Sequence, residues 1–308
     1  EAASMGGYKS VDDETVTRLC DKYIDEYITR ELNDFRDKSK RFEYLFRRLT
    51  GSVHRIVLDL ADELRRSDFQ PLSFELDFAD TPQLPPLELA DRVDGWLHEG
   101  KLYLRVVDYK TGRKKFDLSD VLYGMNLQML LYLFSLGENG KLLYGEEIVP
   151  AGVLYVPARD GVISEDGDIS DAELEKKRSK GLRRSGLVLS DPEVIRAMEH
   201  ADMPKYIPVD FKKNGPAGDA LVSAERLGTL ARHIDQTLCE MASELRRGSI
   251  AADPYYAGQQ ENACINCDYF DACRFADGEN GESMRSTPHL PATKVWSVLE
   301  GGGEDGEV

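Results

Sequence analysis

The chain has 308 residues and a net charge of −17, and this excess of acidic side chains argues against a general electrostatic attraction to nucleic acid, though not against a local basic track. The length allows one large domain with a substantial core, and the absence of any run of 18 apolar residues excludes a predicted transmembrane helix. Five cysteines in no even framework, with no signal peptide in the sequence, indicate a reducing, cytoplasmic location.

Two amphipathic helices are predicted at the start of the chain, over residues 12–38 and 42–64, because apolar residues recur there at spacings of three and four. Pro71 is expected to end the second helix near Asp68. Apolar and polar side chains then alternate over residues 72–78, which predicts a strand, and a proline-rich loop follows it.

A β-hairpin is predicted next, with Glu99-Gly100 as its two-residue loop. The numbers of residues that pair across this hairpin sum to 199. Asp94 then lies opposite Arg105, an attractive cross-strand pair, and Asp91 lies opposite Asp108. Because two carboxylates about 5 Å apart destabilise a sheet, a cation is expected between this last pair.

The two opposed carboxylates predict a site for a divalent metal, since hard cations such as Mg²⁺ take carboxylate oxygens and keep bound waters. Lys110 shares a face of its strand with Asp108, about 6.6 Å farther along, where it can stabilise a developing anion or orient a water. Arg113, Lys114 and Lys115 follow directly and form the candidate basic track. The alternative is a buried salt-bridge cluster on an ordinary sheet.

A single helix is predicted over residues 118–136, with Ser119 as its N-cap and with Gly137 and Gly140 marking its end. A strand is expected over residues 149–155. The order helix, strand, hairpin, helix, strand predicts an α/β fold, in which helices pack on a mixed central sheet.

The second half of the chain is less regular. Residues 160–185 are polar and charged and predict a mobile insertion, whose basic cluster equally fits a solvated loop. Helices are predicted from Pro192 to about His200 and over residues 223–247, the second ended by Gly248.

Three cysteines near the C-terminus have the spacing C-x2-C-x5-C, and thiolates clustered in this way are typical of metal ligands. They are Cys264, Cys267 and Cys273. Both zinc and a [4Fe-4S] cluster need a fourth ligand. Cys20 and Cys239 fall in helical patterns where core residues are expected.

The segment RVDGWLHEGKLYLRVVDYKTGRKKFDLSDVLYGMNLQMLLYL joins an aspartate, a hairpin, an Asp-x-Lys strand and a Gln-x3-Tyr helix. This combination resembles the PD-(D/E)XK nuclease core. It resembles more closely the C-terminal nuclease domain of AddB/RexB-type subunits of bacterial helicase-nucleases. The resemblance extends from about Arg41 to Phe275, which is most of the chain.

The resemblance implies hydrolysis of DNA phosphodiester bonds by a metal-activated water. Asp91 and Asp108 would ligate Mg²⁺ together with the main-chain carbonyl of Tyr109, and Lys110 would position the water. The same resemblance implies an exonuclease that works in double-strand-break repair and recombination beside an AddA-type helicase-nuclease subunit.

Two further features are carried over from the resemblance. Gln128 and Tyr132 match a helix that packs beside the catalytic strand and contacts the site or the DNA backbone. The cysteine triplet matches the ligands of a [4Fe-4S] cluster whose fourth cysteine comes from far upstream, ahead of this segment. His54 follows a Gly-x-x-His pattern but aligns better with a later helix pair, so it is interpreted as structural.

The resemblance also gives an expected division of the chain, and residues 1–10 are expected to be a cloning scar or flexible. Residues 11–276 are expected to form one nuclease domain, divided into a helical lead-in, a catalytic core, a mobile insertion and a C-terminal part at 11–70, 71–158, 159–190 and 191–276. Residues 277–308 would be a flexible tail. Two alternatives remain open: a non-catalytic, iron-sulfur-stapled scaffold that binds DNA ends, and a zinc module that uses the cysteines alone.

Overall fold

A computed structural model of the chain describes residues 1–112, 115–158, 170, 173, 177, 180–213, 215–278 and 282–301. The chain divides into two compact units, one made of Glu1–Lys115 and Tyr132–Val222 and the other of Phe116–Leu131 and Ser223–Val308. The expected limits of one nuclease domain at 11–276 and of a flexible tail stay predictions. Among the described helices, none is long and apolar enough to cross a membrane.

The first unit begins with two antiparallel helices, α1 (Asp13–Glu31) and α2 (Lys40–Arg65). The side chain of Asp12 caps α1 by accepting a hydrogen bond from the Thr15 N–H. Helix α1 is shorter than predicted because Asn33, Asp34 and Phe35 all have positive φ, between 49° and 60°, which a helix cannot continue through.

The predicted stop at the end of α2 lies slightly too late in the chain. The helix ends at Arg65, and Pro71 lies inside the following strand, β1 (Gln70–Asp77). Strand β1 is an edge strand of its sheet, which is where a residue without an N–H is tolerated.

A mixed six-stranded sheet forms the centre of the first unit, as the sequence predicted. Its order is β1-β2-β3-β4-β5-β8, with parallel pairing between β3 and β4 and between β5 and β8. The other neighbours are antiparallel. The strands after β1 are β2 (Leu89–His98), β3 (Lys101–Lys110), β4 (Glu147–Pro157), β5 (Ser185–Leu189) and β8 (Leu221–Val222).

The predicted hairpin register is confirmed. Strands β2 and β3 pair from Arg92 with Val107 through Asp94 with Arg105, so the numbers sum to 199. The loop residues Glu99 and Gly100 have φ of 50° and 76°, the two positive angles that a type I′ turn requires. The turn fixes the register because its length allows no slip.

The helix predicted over 118–136 is instead two helices, α3 (Leu118–Leu122) and α4 (Gln128–Tyr144). The break occurs because Gly124 and Asn126 adopt left-handed φ of 76° and 54°. Ser119 is not the N-cap, since Asp117 fills that position and accepts a hydrogen bond from the Ser119 N–H at 2.8 Å.

Gly137 and Gly140 do not end a helix, because both lie inside α4. A Cβ on Gly137 would be 3.1 Å from Pro150, and a Cβ on Gly140 would be 3.0 Å from Ile148. These two glycines therefore let α4 approach strand β4 closely. The core beneath is fully buried and apolar; its members include Leu104, Val106, Leu133, Leu136 and Leu154.

The helix predicted over 223–247 is confirmed as α6 (Ala224–Arg247), capped by Ser223 and ended by Gly248 at a φ of 69°. The predicted insertion lies largely outside the described residues, and its last residues begin strand β5. The remaining elements are α5 (Pro192–Met198), β6 (Asp210–Lys212), β7 (Gly215–Ala217), β9 (Tyr255–Gly258), β10 (Glu261–Asn262), α7 (Phe270–Cys273), β11 (Arg285–Ser286) and α8 (Ala292–Leu299).

Candidate active site

The hairpin register places the two predicted aspartates side by side. Asp91 and Asp108 are the next residues beyond the Arg92–Val107 pair, so their side chains lie on the same face of the sheet. One oxygen of Asp91, Oδ2, accepts a hydrogen bond from the Tyr109 N–H at 2.8 Å. The aspartate on β2 is therefore tied to the main chain of β3 beside the second aspartate.

Lys110 shares this face and lies against Asp108. Its Nζ is 2.6 Å from Oδ2 of Asp108, and the two side chains are 27% and 15% exposed. That oxygen is buried, and among the described residues no group donates a hydrogen bond to it, because the contact with Lys110 lacks hydrogen-bond geometry. A buried carboxylate oxygen without a hydrogen-bond donor is expected to need a cation.

The lysine has a second neighbour on strand β4. Tyr155 pairs with Asp108 across the parallel ladder, and its ring centre is 5.1 Å from Lys110 Nζ. An ammonium group at this distance is attracted to the negative face of an aromatic ring. Both contacts hold the Lys110 ammonium close to the carboxylate pair.

Tyr132 lies near the start of β2, where its hydroxyl donates a hydrogen bond to the Leu89 carbonyl at 3.3 Å. Its buried ring stacks on Phe78, with 4.8 Å between ring centroids. Tyr132 therefore fixes the main chain two residues before Asp91. Gln128 is the first residue of α4 and belongs to the second compact unit, and its role stays a prediction.

The donor set fits a hard divalent cation. Asp91 and Asp108 offer carboxylate oxygens on one face, and the buried Asp108 oxygen lacks a hydrogen-bond donor. No group of three or more His, Cys, Asp or Glu side chains that could hold a metal occurs in the described part of the chain. An ion at this site would therefore also use the Tyr109 carbonyl and waters, as Mg²⁺ commonly does.

A family described as the PD-(D/E)XK nuclease superfamily matches residues 7–274, which includes the whole hairpin and α4. The chain belongs to this superfamily. An aspartate, a hairpin and an Asp-x-Lys strand on one face of a mixed sheet are the arrangement described above, and the fold predicted from the sequence is confirmed.

Curated relatives give a more specific similarity, since each is named as the second subunit of an ATP-dependent helicase/deoxyribonuclease. The protein of Clostridium acetobutylicum is 30% identical over 95% of this chain and 27% of its own length. Those of Thermoanaerobacter sp. and Ruminiclostridium cellulolyticum are 31% and 30% identical over 94% and 95% of this chain, and 26% and 27% of their own length. The predicted resemblance to AddB-type subunits is confirmed, and the chain spans about a quarter of the length of these relatives.

A charged network that the sequence did not reveal lies on the opposite face of the hairpin in this PD-(D/E)XK chain. Asp94 accepts hydrogen bonds from Arg92 Nη2 at 3.0 Å and from Arg105 Nε at 2.8 Å. Glu63 on α2 contacts Arg105 at 3.3 Å and Arg184 at 2.7 Å. All five side chains are no more than 3% exposed as residues.

Only the Asp94–Arg105 pair of this network was predicted. Arg92 stands at a buried position of an otherwise apolar strand, and Glu63 directly precedes Leu64 in the buried part of α2. Charged residues at predicted core positions are the signal that could have identified the network. Its long-range partner Arg184 has no such signal, since 121 residues separate it from Glu63.

The network shifts the titration of its acidic and phenolic groups. Burial opposes ionisation of Glu63, but Arg184, Arg105 and Arg92 outweigh it and lower the pKa of Glu63 to about 2. Burial raises the pKa of Tyr109, although the Arg92 guanidinium acts in the opposite direction. Glu63 is therefore an anion, and Tyr109 a neutral phenol, across the physiological pH range.

The cysteine triplet is not assembled as a metal centre among the described residues. Cys264 is half-buried, Cys267 and Cys273 are exposed, and all three thiols are free. The described residues hence do not fit a closed [4Fe-4S] or zinc site. Cys20 is buried on α1, as expected of a core residue, whereas Cys239 is exposed and the prediction that it lies in the core is wrong.

His54 has the position of a structural residue. Its Nδ1 is 2.7 Å from the Thr50 carbonyl, and its Nε2 is 2.7 Å from Asp21 Oδ1. The histidine thus joins α2 to α1. The Thr50 carbonyl and then Asp21 raise the pKa of His54 above 6.5, against the effect of partial burial.

Proposed function

We propose that this chain is a metal-dependent DNA nuclease domain whose site is the Asp91, Asp108 and Lys110 face of the hairpin. The observation that supports the proposal most is the buried Asp108 oxygen, which has no hydrogen-bond donor among the described residues and lies 2.6 Å from Lys110 Nζ. Membership of the PD-(D/E)XK nuclease superfamily agrees with this chemistry. The substrate is a phosphodiester bond in DNA, and the ion is Mg²⁺.

Each residue has a separate role in the proposal. Asp91 and Asp108 hold Mg²⁺ with the Tyr109 carbonyl, and the bound ion would supply Lewis acidity and lower the pKa of a water. Lys110 donates hydrogen bonds to the attacking water or to a scissile phosphate oxygen, where its charge offsets the negative charge that develops. Tyr132 keeps the start of β2 in place, and Gln128 contacts the site or the DNA backbone.

The wider biological role is also a proposal. Because the relatives are named as one subunit of a helicase/deoxyribonuclease, the partner is an AddA-type helicase-nuclease subunit and the role is exonuclease digestion in double-strand-break repair and recombination. This role places the protein in the cytoplasm. The cysteine triplet would ligate a [4Fe-4S] cluster in proteins that supply a fourth cysteine.

The test is cleavage of end-labelled linear DNA, with Mg²⁺ or with EDTA, by the wild type and by Asp108→Asn. Asp80→Asn is the matched control, since it removes an exposed carboxylate from the loop before the hairpin. Loss of a metal ligand removes several kcal/mol of transition-state stabilisation, so Asp108→Asn is expected to lower the cleavage rate by about 10³-fold. The control variant keeps the wild-type rate.

Two outcomes would contradict the nuclease proposal. Cleavage that continues in EDTA would remove the metal from the mechanism. Equal cleavage by the wild type and Asp108→Asn would place the chemistry elsewhere. Binding of DNA ends without cleavage by either protein would favour the non-catalytic scaffold.

A further inference from the structure

Arg92 and Tyr109 meet on the face of the hairpin opposite to the candidate site. Arg92 Nη1 donates a hydrogen bond to the Tyr109 hydroxyl at 2.8 Å, and the guanidinium carbon is 5.6 Å from the ring centre. Arg92 directly follows Asp91 in the chain, and Tyr109 directly follows Asp108. The side chains of the residues next to the two aspartates are therefore joined to each other behind the sheet.

Arg92 is itself held rigidly. Its Nη2 donates to Asp94 Oδ2 at 3.0 Å, and its Nε is 2.9 Å from Asp94 Oδ1. Asp94 also accepts from Arg105, whose Nη2 is 3.3 Å from Glu63 on helix α2. The guanidinium that holds the Tyr109 hydroxyl is thus anchored to a helix as well as to the strand, and this favours one fixed position for it.

Tyr109 transmits this anchoring to the front of the sheet. Its side chain is fixed by Arg92, and its main-chain N–H donates to Asp91 Oδ2 at 2.8 Å. The peptide that carries this N–H also joins Tyr109 to Asp108. A displacement of the phenol ring would therefore move both the hydrogen-bond donor of one carboxylate and the Cα of the other.

We propose that Arg92 and Tyr109 are positioning residues for the metal site, and that their hydrogen bond sets the orientation of the Asp91 carboxylate relative to Asp108. This inference rests on the proposed function. Neither side chain faces the metal, so both act through the Tyr109 main chain. Groups that orient metal ligands from outside the ligand shell change metal affinity when they are removed, with the protein fold intact.

The test is binding of Mn²⁺, measured by isothermal titration calorimetry without DNA, by the wild type and by Tyr109→Phe. This substitution removes one hydroxyl and keeps the ring. Outer-shell partners commonly contribute 10- to 100-fold to metal affinity, so the dissociation constant for Mn²⁺ is expected to rise by about 10-fold. Tyr103→Phe is the matched control, because Tyr103 points to the same face of the same strand and is remote from Asp91 in the register; its affinity stays at the wild-type value.

A second variant, Arg92→Lys, keeps the positive charge beside Asp94 but not the rigid fork that reaches the hydroxyl. It is expected to weaken Mn²⁺ binding in the same direction. Thermal unfolding of each variant separates positioning from stability. A lowered melting temperature with unchanged Mn²⁺ affinity would overturn the inference, because it would mean that the pair only stabilises the fold.

The failure of this inference can be distinguished from the failure of the proposed function. If Asp108→Asn abolishes Mn²⁺ binding and Tyr109→Phe binds like the wild type, the site stands and the positioning role falls. If the wild type binds no Mn²⁺, or if Asp108→Asn binds it equally well, both proposals fall. A rise in the dissociation constant that Tyr109→Phe and Arg92→Lys show and Tyr103→Phe does not supports both.

Discussion

Glu63 offers the sharpest test of the buried network, because a single carboxylate there is surrounded by three guanidinium groups. Its oxygens lie 2.7 Å from Arg184, 3.3 Å from Arg105 and 3.9 Å from Arg92. The substitution Glu63→Gln keeps the shape of the side chain and removes the charge. Because it leaves buried guanidinium groups without this partner, it is expected to lower the free energy of unfolding by about 3–5 kcal/mol at pH 7.

The pH dependence follows from the lowered pKa. The pKa of Glu63 falls from 4.5 to about 2 in the folded protein, which at 1.36 kcal/mol per pH unit corresponds to about 3 kcal/mol of stabilisation. Since the folded pKa is the lower one, this stabilisation is fully present above pH 4.5 and is lost as the pH falls towards 2. About 2 kcal/mol of it should be lost by pH 3.

The assay is urea unfolding between pH 7 and pH 3 in a Trp296→Phe background. Trp96 is then the only tryptophan, and it reports on the first unit, where its ring centre is 5.9 Å from that of Phe69. The difference in unfolding free energy between Glu63 and Glu63→Gln proteins should shrink by about 2 kcal/mol over this range. A difference that stays constant would refute the reasoning, and Glu26→Gln, an exposed change on α1, serves as the control.

Two further predictions concern other parts of the first unit. Both ring nitrogens of His54 face acceptors, so the imidazole titration followed by NMR should have its midpoint above 6.5; the stabilisation it gives is present below 6.5 and lost as the pH rises through the folded pKa, and His54→Gln should remove this pH dependence. Gly186 has a φ of 151°, and a Cβ there would be 1.9 Å from the Val153 carbonyl oxygen, so Gly186→Ala should destabilise the sheet by at least about 2 kcal/mol in urea unfolding. Gly181→Ala, which meets open space, should change stability far less, and equal effects would contradict the steric argument.

The hairpin could be predicted from the sequence because the information that specifies it is local. Two loop residues that accept positive φ fix the register, and the alternation of side chains then determines which residues share a face. Asp91, Asp108 and Lys110 were placed on one face by these two rules alone. The end of helix α6 was equally predictable, since Ser223 and Gly248 are local capping residues.

The errors arose where a residue acts through tertiary contacts. Gly137 and Gly140 were interpreted as a helix end, but they are needed for the close approach of α4 to β4, which the sequence does not reveal. Gly124 does break the predicted helix, although it lies amid a continuous apolar pattern. Glu63 and Arg184 were missed for a related reason, because a pair separated by 121 residues leaves no periodic signal.

The two faces of the hairpin together balance their charge. The back carries three guanidinium groups and two carboxylates, and the front carries the two candidate carboxylates and one ammonium, so these eight groups sum to zero in a chain whose total is −17. The guanidinium groups of Arg92 and Arg105 are almost completely buried, and salt screens buried charges far less than exposed ones. A phosphate group that approaches the site therefore meets a nearly neutral cross-section of the sheet, and this local neutrality should persist at ionic strengths that screen the acidic surface around it.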